Sequence, residues 1–176
     1  VIDGQPQMIR RSKGYAPVPL FISAARETEE AVGKAEKNAD ARGTVSADGI
    51  DKSVMVLATG GQLKNSFALS KGQFSYVSQY FGDLDSAENR ALYEENVERM
   101  KALFRIEPNA VACDLHPLYY TTQFAWRYAS EHAQNKGIEG GKESLPVIRV
   151  QHHHAHVASV MAEHHIEDTV IMQPSV

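Results

Sequence analysis

The chain has 176 residues and a formal net charge of −4, and 43% of its residues are hydrophobic. This apolar fraction is ordinary for a globular protein with a core, whereas the mild negative charge provides no general basic field for nucleic acid. No apolar run reaches the roughly 18 residues of a membrane-spanning helix, and the single cysteine, Cys113, excludes an internal disulfide and a multi-cysteine zinc site.

The first 53 residues divide into a short ordered segment and a polar linker. A hairpin is predicted around Asp3-Gly4, followed by the basic segment IRRSKGYAP. The arginines of that segment are suited to binding phosphate or carboxylate through paired hydrogen bonds, although an ordinary basic turn is an equally good interpretation. Residues 23–53 contain almost no large apolar side chains, which indicates a solvated linker or a marginal helix.

Order resumes at residue 54. Val54–Leu57 is predicted as a buried strand, and SFALSKGQFSYVSQY as two strands joined at Lys71-Gly72. A helix is predicted from about Ser86 to Phe104, with Asp85 and Glu88 as a capping box. The later elements are a strand at NAVACD, a helix at YYTTQFAWRYASEHAQ, an exposed loop at GIEGGKES, a strand at LPVIRVQ and a helix over about residues 154–165.

This order of elements predicts an α/β fold with a mixed sheet, in which antiparallel strands come first and strand–helix units follow. The helices are expected to flank the sheet. Ligands of such sheets gather at the carboxyl ends of the strands. Three polar segments, TGGQLKN, CDLHP and QHHHAH, follow predicted strands and are therefore expected at that edge.

The segment VQHHHAHVASVMAEHH contains most of the chain's eight histidines. His152 and His156 are four residues apart, so a helix places them on one face, where two imidazoles can share one metal ion. The side chains of His153 and His154 are expected to point away from this face, where they could support the ligands or contact a substrate phosphate. Incidental histidines at an exposed helix start are the alternative. Two ligands are too few for a tight site, so a third ligand, most naturally a carboxylate, must come from elsewhere.

The other two polar segments offer anion-binding and acidic groups. Gly60 and Gly61 let backbone amides approach an anion, and Lys64 adds a positive charge, although a Gly-Gly turn beside an exposed lysine is the simpler interpretation. Asp114 and His116 end a buried strand. A carboxylate there suits catalysis, metal binding or helix capping, and a plain turn former is the alternative.

Five segments together resemble one family: QPQMIRRSKGYAP, LATGGQLKNSFALSKG, SQYFGDLDS, ACDLHPLYYTT and VQHHHAHVASVMAEH are similar, in this order, to motifs of the NiFe-hydrogenase maturation carbamoyltransferases, HypF. The resemblance implies that residues 1–20 are the C-terminal tail of a YrdC-like domain, that residues 21–53 are a charged linker, and that residues 54–176 are the truncated first lobe of the carbamoyltransferase domain. It also implies an actin/sugar-kinase-like (ribonuclease-H-like) nucleotide-binding fold.

The resemblance further implies a reaction that uses carbamoyl phosphate and ATP. The YrdC-like domain of the family forms carbamoyl adenylate, and the transferase domain passes the carbamoyl group to the C-terminal cysteine of an acceptor protein, HypE. That product leads to the cyanide ligand of the hydrogenase iron. The implied cofactors are ATP and a divalent metal, either zinc or iron, with magnesium accompanying the nucleotide. No nucleic acid and no membrane partner is expected.

Motif matching assigns the site residues by number. The implied metal ligands are His152 and His156, and the residues matched to the nucleotide cleft are Gly60, Gly61, Lys64 and Asn65. The residues matched to the neighbouring adenylate-forming site are Arg10, Arg11 and Lys13. The candidate catalytic residues are Asp114, His116 and His153.

Both ends of the sequence look cut, so we expect a fragment that does not complete the reaction alone. The lack of a secretory segment, with only one cysteine, favours the cytoplasm. A tRNA threonylcarbamoyl transferase-like enzyme and a non-catalytic, histidine-rich metal-binding module are the alternative functions. An enzyme requires GGQLKN and the histidines to converge on one cleft, whereas a binding module requires only exposed histidines.

Overall fold

The computed structural model describes residues 19–22, 54–136, 141–164 and 166. The strands are β1 (Pro19–Phe21), β2 (Met55–Ala58), β3 (Ala68–Lys71), β4 (Phe74–Val77), β5 (Ala110–Asp114), β6 (Gln134–Lys136), β7 (Gly141–Glu143) and β8 (Val147–Val150), and the helices are α1 (Ala87–Phe104), α2 (Tyr120–Glu131) and α3 (His152–His164). The predicted N-terminal hairpin, the linker and the C-terminal strand lie outside the described residues.

Six of the strands form one mixed sheet in the order β1-β4-β3-β2-β5-β8. The pairs β1–β4, β4–β3 and β3–β2 are antiparallel, whereas β2–β5 and β5–β8 are parallel. The predicted change from antiparallel strands to strand–helix units is therefore confirmed. Because the three parallel strands are neighbours, their carboxyl ends meet at one edge of the sheet.

Tyr93 of α1 lies at the centre of the core and is fully buried. Its ring packs edge-on against Phe67 and Phe124, with ring centroids 5.5 and 5.3 Å apart respectively, so it joins α1 to both the sheet and α2. The Tyr93 hydroxyl donates a hydrogen bond of 3.0 Å to the carbonyl oxygen of Thr59, the residue after β2. The core thereby anchors the start of the TGGQLKN segment.

Helix α1 begins at a different cap residue from the one that the sequence predicted. Ser86 is the N-cap, and its hydroxyl accepts a hydrogen bond of 3.1 Å from the backbone N–H of Asn89. The predicted capping box of Asp85 and Glu88 is wrong by one residue. The Asp85 carboxylate instead accepts a 2.8 Å hydrogen bond from the side chain of Gln62. At the other end, Arg105 adopts the left-handed conformation with φ of 53°.

Three further boundaries were predicted incorrectly. Helix α2 ends at Glu131, and β6 and β7 form an antiparallel ribbon where the sequence predicted the end of a helix and an exposed loop. Helix α3 begins at His152, two residues before the predicted start. Strand β1 pairs with β4, so Pro19 and Leu20 continue the sheet that was predicted to begin at residue 54. Within the described residues, no helix is long and apolar enough to cross a membrane.

Candidate functional site

The three segments that follow the parallel strands lie together at one edge of the sheet. Asp114 is the last residue of β5 and is opposite Val150 of β8, and α3 begins two residues after Val150. On the other side of β5, Thr59 follows β2, and its backbone N–H donates a 2.9 Å hydrogen bond to Ala112. The sheet therefore places the glycine segment, the CDLHP segment and the histidine segment side by side.

Asp114, His152 and His156 form a chain of contacts at this edge. The carboxylate Oδ2 of Asp114 lies 2.7 Å from Nδ1 of His152, and Nε2 of His152 lies 3.1 Å from Nε2 of His156. The other carboxylate oxygen of Asp114 accepts a 2.9 Å hydrogen bond from the backbone N–H of His116. The Asp114 side chain is only 9% exposed, whereas that of His152 is 48% exposed. The imidazoles therefore face solvent and the carboxylate lies behind them.

The charge state of Asp114 determines which nitrogen of His152 carries the proton. Burial alone would raise the pKa of the Asp114 carboxyl, but hydrogen bonds from the His116 backbone and the His152 ring outweigh it and hold this pKa below its usual value. An ionised carboxylate can only accept hydrogen bonds, so Nδ1 of His152 is the donor. This assignment, inferred from the hydrogen-bond network, leaves the lone pair of Nε2 directed toward His156.

The spacing of the two Nε2 atoms fits a shared metal ion. Two imidazoles that bind one tetrahedral ion at about 2.0–2.1 Å have nitrogens roughly 3.3 Å apart. The observed separation is 3.1 Å. Among the residues that the structure describes, no group of three or more histidine, cysteine or acidic side chains is arranged to hold a metal. Within that part of the chain, the pair therefore supplies two nitrogens at the spacing of metal ligands and no third ligand.

The glycine segment approaches the same imidazole. A β-carbon built at Gly61 would lie 3.8 Å from Cε1 of His152, which is an ordinary van der Waals distance, so Gly61 lies directly beside this ring. Gly60 has a positive φ of 72°, and a β-carbon there would lie 2.2 Å from the carbonyl oxygen of Ser66. The two glycines therefore differ, because the turn requires a glycine at position 60, whereas position 61 has room for a β-carbon and lies against His152.

Asn65 is buried beneath the glycine segment and does not face solvent. Its side-chain amide donates hydrogen bonds of 3.1 Å to the carbonyl oxygen of Thr59 and 2.6 Å to that of Gly61. Its backbone also pairs with Gly82. In this structure Asn65 fixes the shape of the segment, whereas motif matching assigned its side chain to the lining of a nucleotide cleft.

Lys64 lines a groove of about 600 Å³ between the sheet and α3. The groove is also lined by Ser159 and Val160 of α3 and by Tyr80. Ser159 and Val160 lie three and four residues after His156, so they belong to the same side of the helix. The groove and the two imidazoles therefore lie along one face of α3.

The remaining candidates are placed less centrally. The His116 ring stacks on Tyr119 with centroids 4.2 Å apart, and only its backbone N–H contacts Asp114. His153 is exposed, and its ring meets that of His152 edge-on at 6.2 Å. Arg10, Arg11 and Lys13 lie outside the described residues.

Gln62 is a residue of the site region that sequence reasoning missed. Its side-chain oxygen accepts a 2.8 Å hydrogen bond from the backbone N–H of Tyr120, the first residue of α2. Gln62 thereby connects the glycine segment to a helix end that lacks a side-chain cap of its own. An isolated glutamine in a polar segment carries no sequence signal for this role.

Comparison with known proteins shows one consistent set of relatives. The model of the HypF Kae1-like domain matches residues 51–163. The chain is 31% identical over 172 residues to carbamoyltransferase HypF of Synechocystis, with 98% of this chain and 17% of that protein covered. It is 32% identical over 173 residues to carbamoyltransferase HypF2 of Cupriavidus necator, with 96% and 17% covered. The chain thus spans about 17% of the length of these relatives.

Two solved structures resemble the fold. One is a full-length HypF in a phosphate- and nucleotide-bound form, with a TM-score of 0.61, 35% identity, and 90% of this chain and 19% of that chain covered. The other is HypF of T. kodakarensis, with a TM-score of 0.65, 28% identity, and 93% and 16% covered. The Kae1-like domain of HypF has an actin/ribonuclease-H-like fold, so the predicted fold class is confirmed.

Proposed function

The chain belongs to the HypF family, and from this premise we propose that it is the first lobe of a carbamoyltransferase domain within a longer enzyme. The reaction proposed for that enzyme forms carbamoyl adenylate from carbamoyl phosphate and ATP, with release of phosphate and pyrophosphate. The carbamoyl group then passes from the adenylate to the thiol sulfur of the C-terminal cysteine of a HypE-type acceptor, and AMP is the leaving group. The described residues would supply part of the transfer site.

The observation that carries this proposal is the convergence of Gly61 with the Asp114–His152–His156 chain at one edge of the sheet. A binding module needs exposed histidines but has no need for a glycine turn against one of them. An enzyme that places a nucleotide beside a metal needs both features in one place. The convergence therefore favours an enzyme over a histidine-rich metal-binding module.

Each group has a proposed task. His152 and His156 would bind the metal through their Nε2 atoms, and a zinc or ferrous ion there would act as a Lewis acid toward the carbamoyl group and the nucleotide phosphate. Gly61 would let a phosphate approach the histidines without a side chain in the way. Lys64 would contribute positive charge from the groove along α3.

The proposal that the enzyme binds a nucleotide draws support from one relative, because a full-length HypF has been solved with phosphate and nucleotide bound. ATP is the nucleotide that the proposed reaction requires. Magnesium would accompany the triphosphate. The tRNA threonylcarbamoyl transferase-like alternative shares this chemistry, but the family match favours the HypF reaction.

Titration calorimetry of the 176-residue chain with zinc or ferrous ion tests the proposed metal site. The wild-type chain should bind the ion, and the His152→Ala/His156→Ala double variant should lose that binding event, since it removes both converging nitrogens. A His153→Ala/His154→Ala double variant is the matched control, because it removes two exposed imidazoles from the same helical turn. In this control, metal binding should persist at the wild-type affinity.

Repeating the titration with ATP tests whether the metal and nucleotide sites are shared. If both occupy one cleft, ATP should strengthen metal binding by the same factor by which metal strengthens ATP binding. Equal loss of metal binding in the two double variants would show a loose histidine cluster and refute the site. Metal binding that is indifferent to ATP would instead support a metal-binding module.

A further inference from the structure

The contact between Asp114 and His152 extends the proposed metal site, on which the following inference rests. We propose that Asp114 is a positioning residue that holds His152 as the Nδ1–H tautomer, so that the Nε2 lone pair beside His156 is ready to bind a metal ion. The role differs from that of a catalytic group, since Asp114 acts through the imidazole and has no contact of its own with substrate.

The carboxylate of Asp114 has both of its oxygens engaged. Oδ1 accepts from the backbone N–H of His116 at 2.9 Å, and Oδ2 accepts from Nδ1 of His152 at 2.7 Å. With a side chain only 9% exposed, Asp114 presents little surface to an incoming ligand. The geometry therefore suits a residue that supports a ligand from behind.

The two partners differ in how firmly the fold holds them. The strand end that carries Asp114 is fixed by backbone hydrogen bonds, because Leu115 donates to Val150 at 3.1 Å, and the side chain of Arg149 donates to the carbonyl of Leu115 at 2.6 Å. Helix α3, by contrast, has no buried side chain among those the structure describes. Core packing therefore does little to orient the His152 ring, and of its two polar contacts the shorter is the one with the Asp114 carboxylate, which the strand end holds in place.

The chemistry of metal binding explains why this contact matters. A neutral imidazole has one donor nitrogen and one acceptor nitrogen, and only the acceptor can bind a metal. A carboxylate on the far nitrogen selects the productive tautomer, fixes the ring and raises the basicity of the ligating nitrogen. Loss of such a partner typically lowers metal affinity by about 10–100-fold.

The Asp114→Asn variant separates this role from a purely structural one. An amide N–H₂ cannot accept from the backbone N–H of His116, so the amide oxygen of an asparagine would face His116 and preserve the turn. The amide N–H₂ would then face Nδ1 of His152 and donate to it, which favours the Nε2–H tautomer. The variant thus keeps the local fold but presents a hydrogen-bond donor to the imidazole in place of an acceptor.

Long-range ¹H–¹⁵N NMR of the metal-free 176-residue chain reads the tautomer directly, with the His152 signals identified by their absence from His152→Ala. We expect Nδ1–H in the wild type and Nε2–H in Asp114→Asn. Zinc affinity, measured by competition with a chromogenic chelator at fixed pH, should fall by about 10–100-fold in this variant. Asp83→Asn is the matched control, because Asp83 also accepts a backbone N–H, that of Lys64 at 2.8 Å, and it should change neither measurement.

Two results would overturn the proposal: an Nε2–H tautomer in the wild type, or an Asp114→Asn variant that folds and keeps both the wild-type tautomer and the wild-type affinity. If the wild type binds no zinc, the proposed metal site fails, and the tautomer comparison alone decides the role of Asp114. If Asp114→Asn does not fold, the wild-type tautomer decides it.

Discussion

Replacing Gly60 with alanine tests how the glycine segment is built. Gly60 has a φ of 72°, a left-handed conformation that costs an alanine about 1–2 kcal/mol. The new β-carbon would also lie 2.2 Å from the carbonyl oxygen of Ser66, which is a backbone atom and cannot turn away. The segment would have to shift to accept the substitution.

That shift would disturb the hydrogen bonds that Asn65 donates to the carbonyl oxygens of Thr59 and Gly61. Each such bond contributes about 0.5–1.5 kcal/mol. The lower entropy of the unfolded alanine chain offsets about 0.4–1 kcal/mol. The free energy of unfolding of Gly60→Ala should therefore fall by about 2–4 kcal/mol.

Gly72→Ala provides the control for backbone conformation. Gly72 also has a positive φ, of 56°, but nothing lies within 4 Å of a β-carbon built there. This variant should lose only about 1 kcal/mol, the conformational cost less the unfolded-state entropy.

Urea unfolding followed by circular dichroism measures both variants against the wild type. If Gly60→Ala were no more destabilising than Gly72→Ala, the close contact with Ser66 would contribute nothing, and the account of the segment would be refuted. We expect the free energies of unfolding of the two variants to differ by at least about 1 kcal/mol. For a chain of this size, that difference corresponds to roughly 2–4 °C in melting temperature.

Two further substitutions test the core and a helix end by the same urea method. Burial, followed by the nearby Tyr120 and Glu94, raises the pKa of Tyr93 well above 10. Above pH 10 the folded state therefore keeps a phenol proton that the unfolded state loses, and the free energy of unfolding should decline. Tyr93→Phe should lower the free energy of unfolding by about 0.5–1.5 kcal/mol at pH 7, because the hydrogen bond to Thr59 is lost. The difference in free energy of unfolding between this variant and the wild type should become smaller above pH 10. A difference that stays constant with pH would contradict this linkage. Arg105→Gly should raise the free energy of unfolding by about 0.5–1 kcal/mol, because glycine adopts the left-handed C-cap without strain, and the absence of any gain would show that Arg105 is not strained there.

The regular elements of the sheet follow from local patterns in the sequence. The alternation around Lys71-Gly72 predicted β3 and β4, and the helical spacing after Ser86 predicted α1. The boundaries were weaker, because neighbouring polar residues such as Asp85 and Ser86 compete as caps and only the three-dimensional geometry decides between them. The β6–β7 ribbon has a polar sequence without strand alternation, so its pairing left no signal.

The candidate site could likewise be predicted from the sequence only in part. The i, i+4 spacing of His152 and His156 and their position after a strand indicated a shared metal from sequence alone. The pairing of Asp114 with His152 could not be predicted, because it depends on the register between β5 and β8, two strands that are separated by a helix and a ribbon. The burial of Asn65 could not be predicted either, because motif matching gives the position of a residue but not the direction of its side chain.

The exposure of α3 has a thermodynamic consequence. A helix without buried side chains draws little free energy from the core, so we expect its amides to be among the least protected of the described structure toward hydrogen exchange. A ligand that bridges His152 and His156 would have to offset the conformational entropy lost when this helix becomes fixed. The affinity of the site is therefore coupled to whatever surface packs against α3, and a partner that covers the helix would tighten ligand binding without touching the ligand.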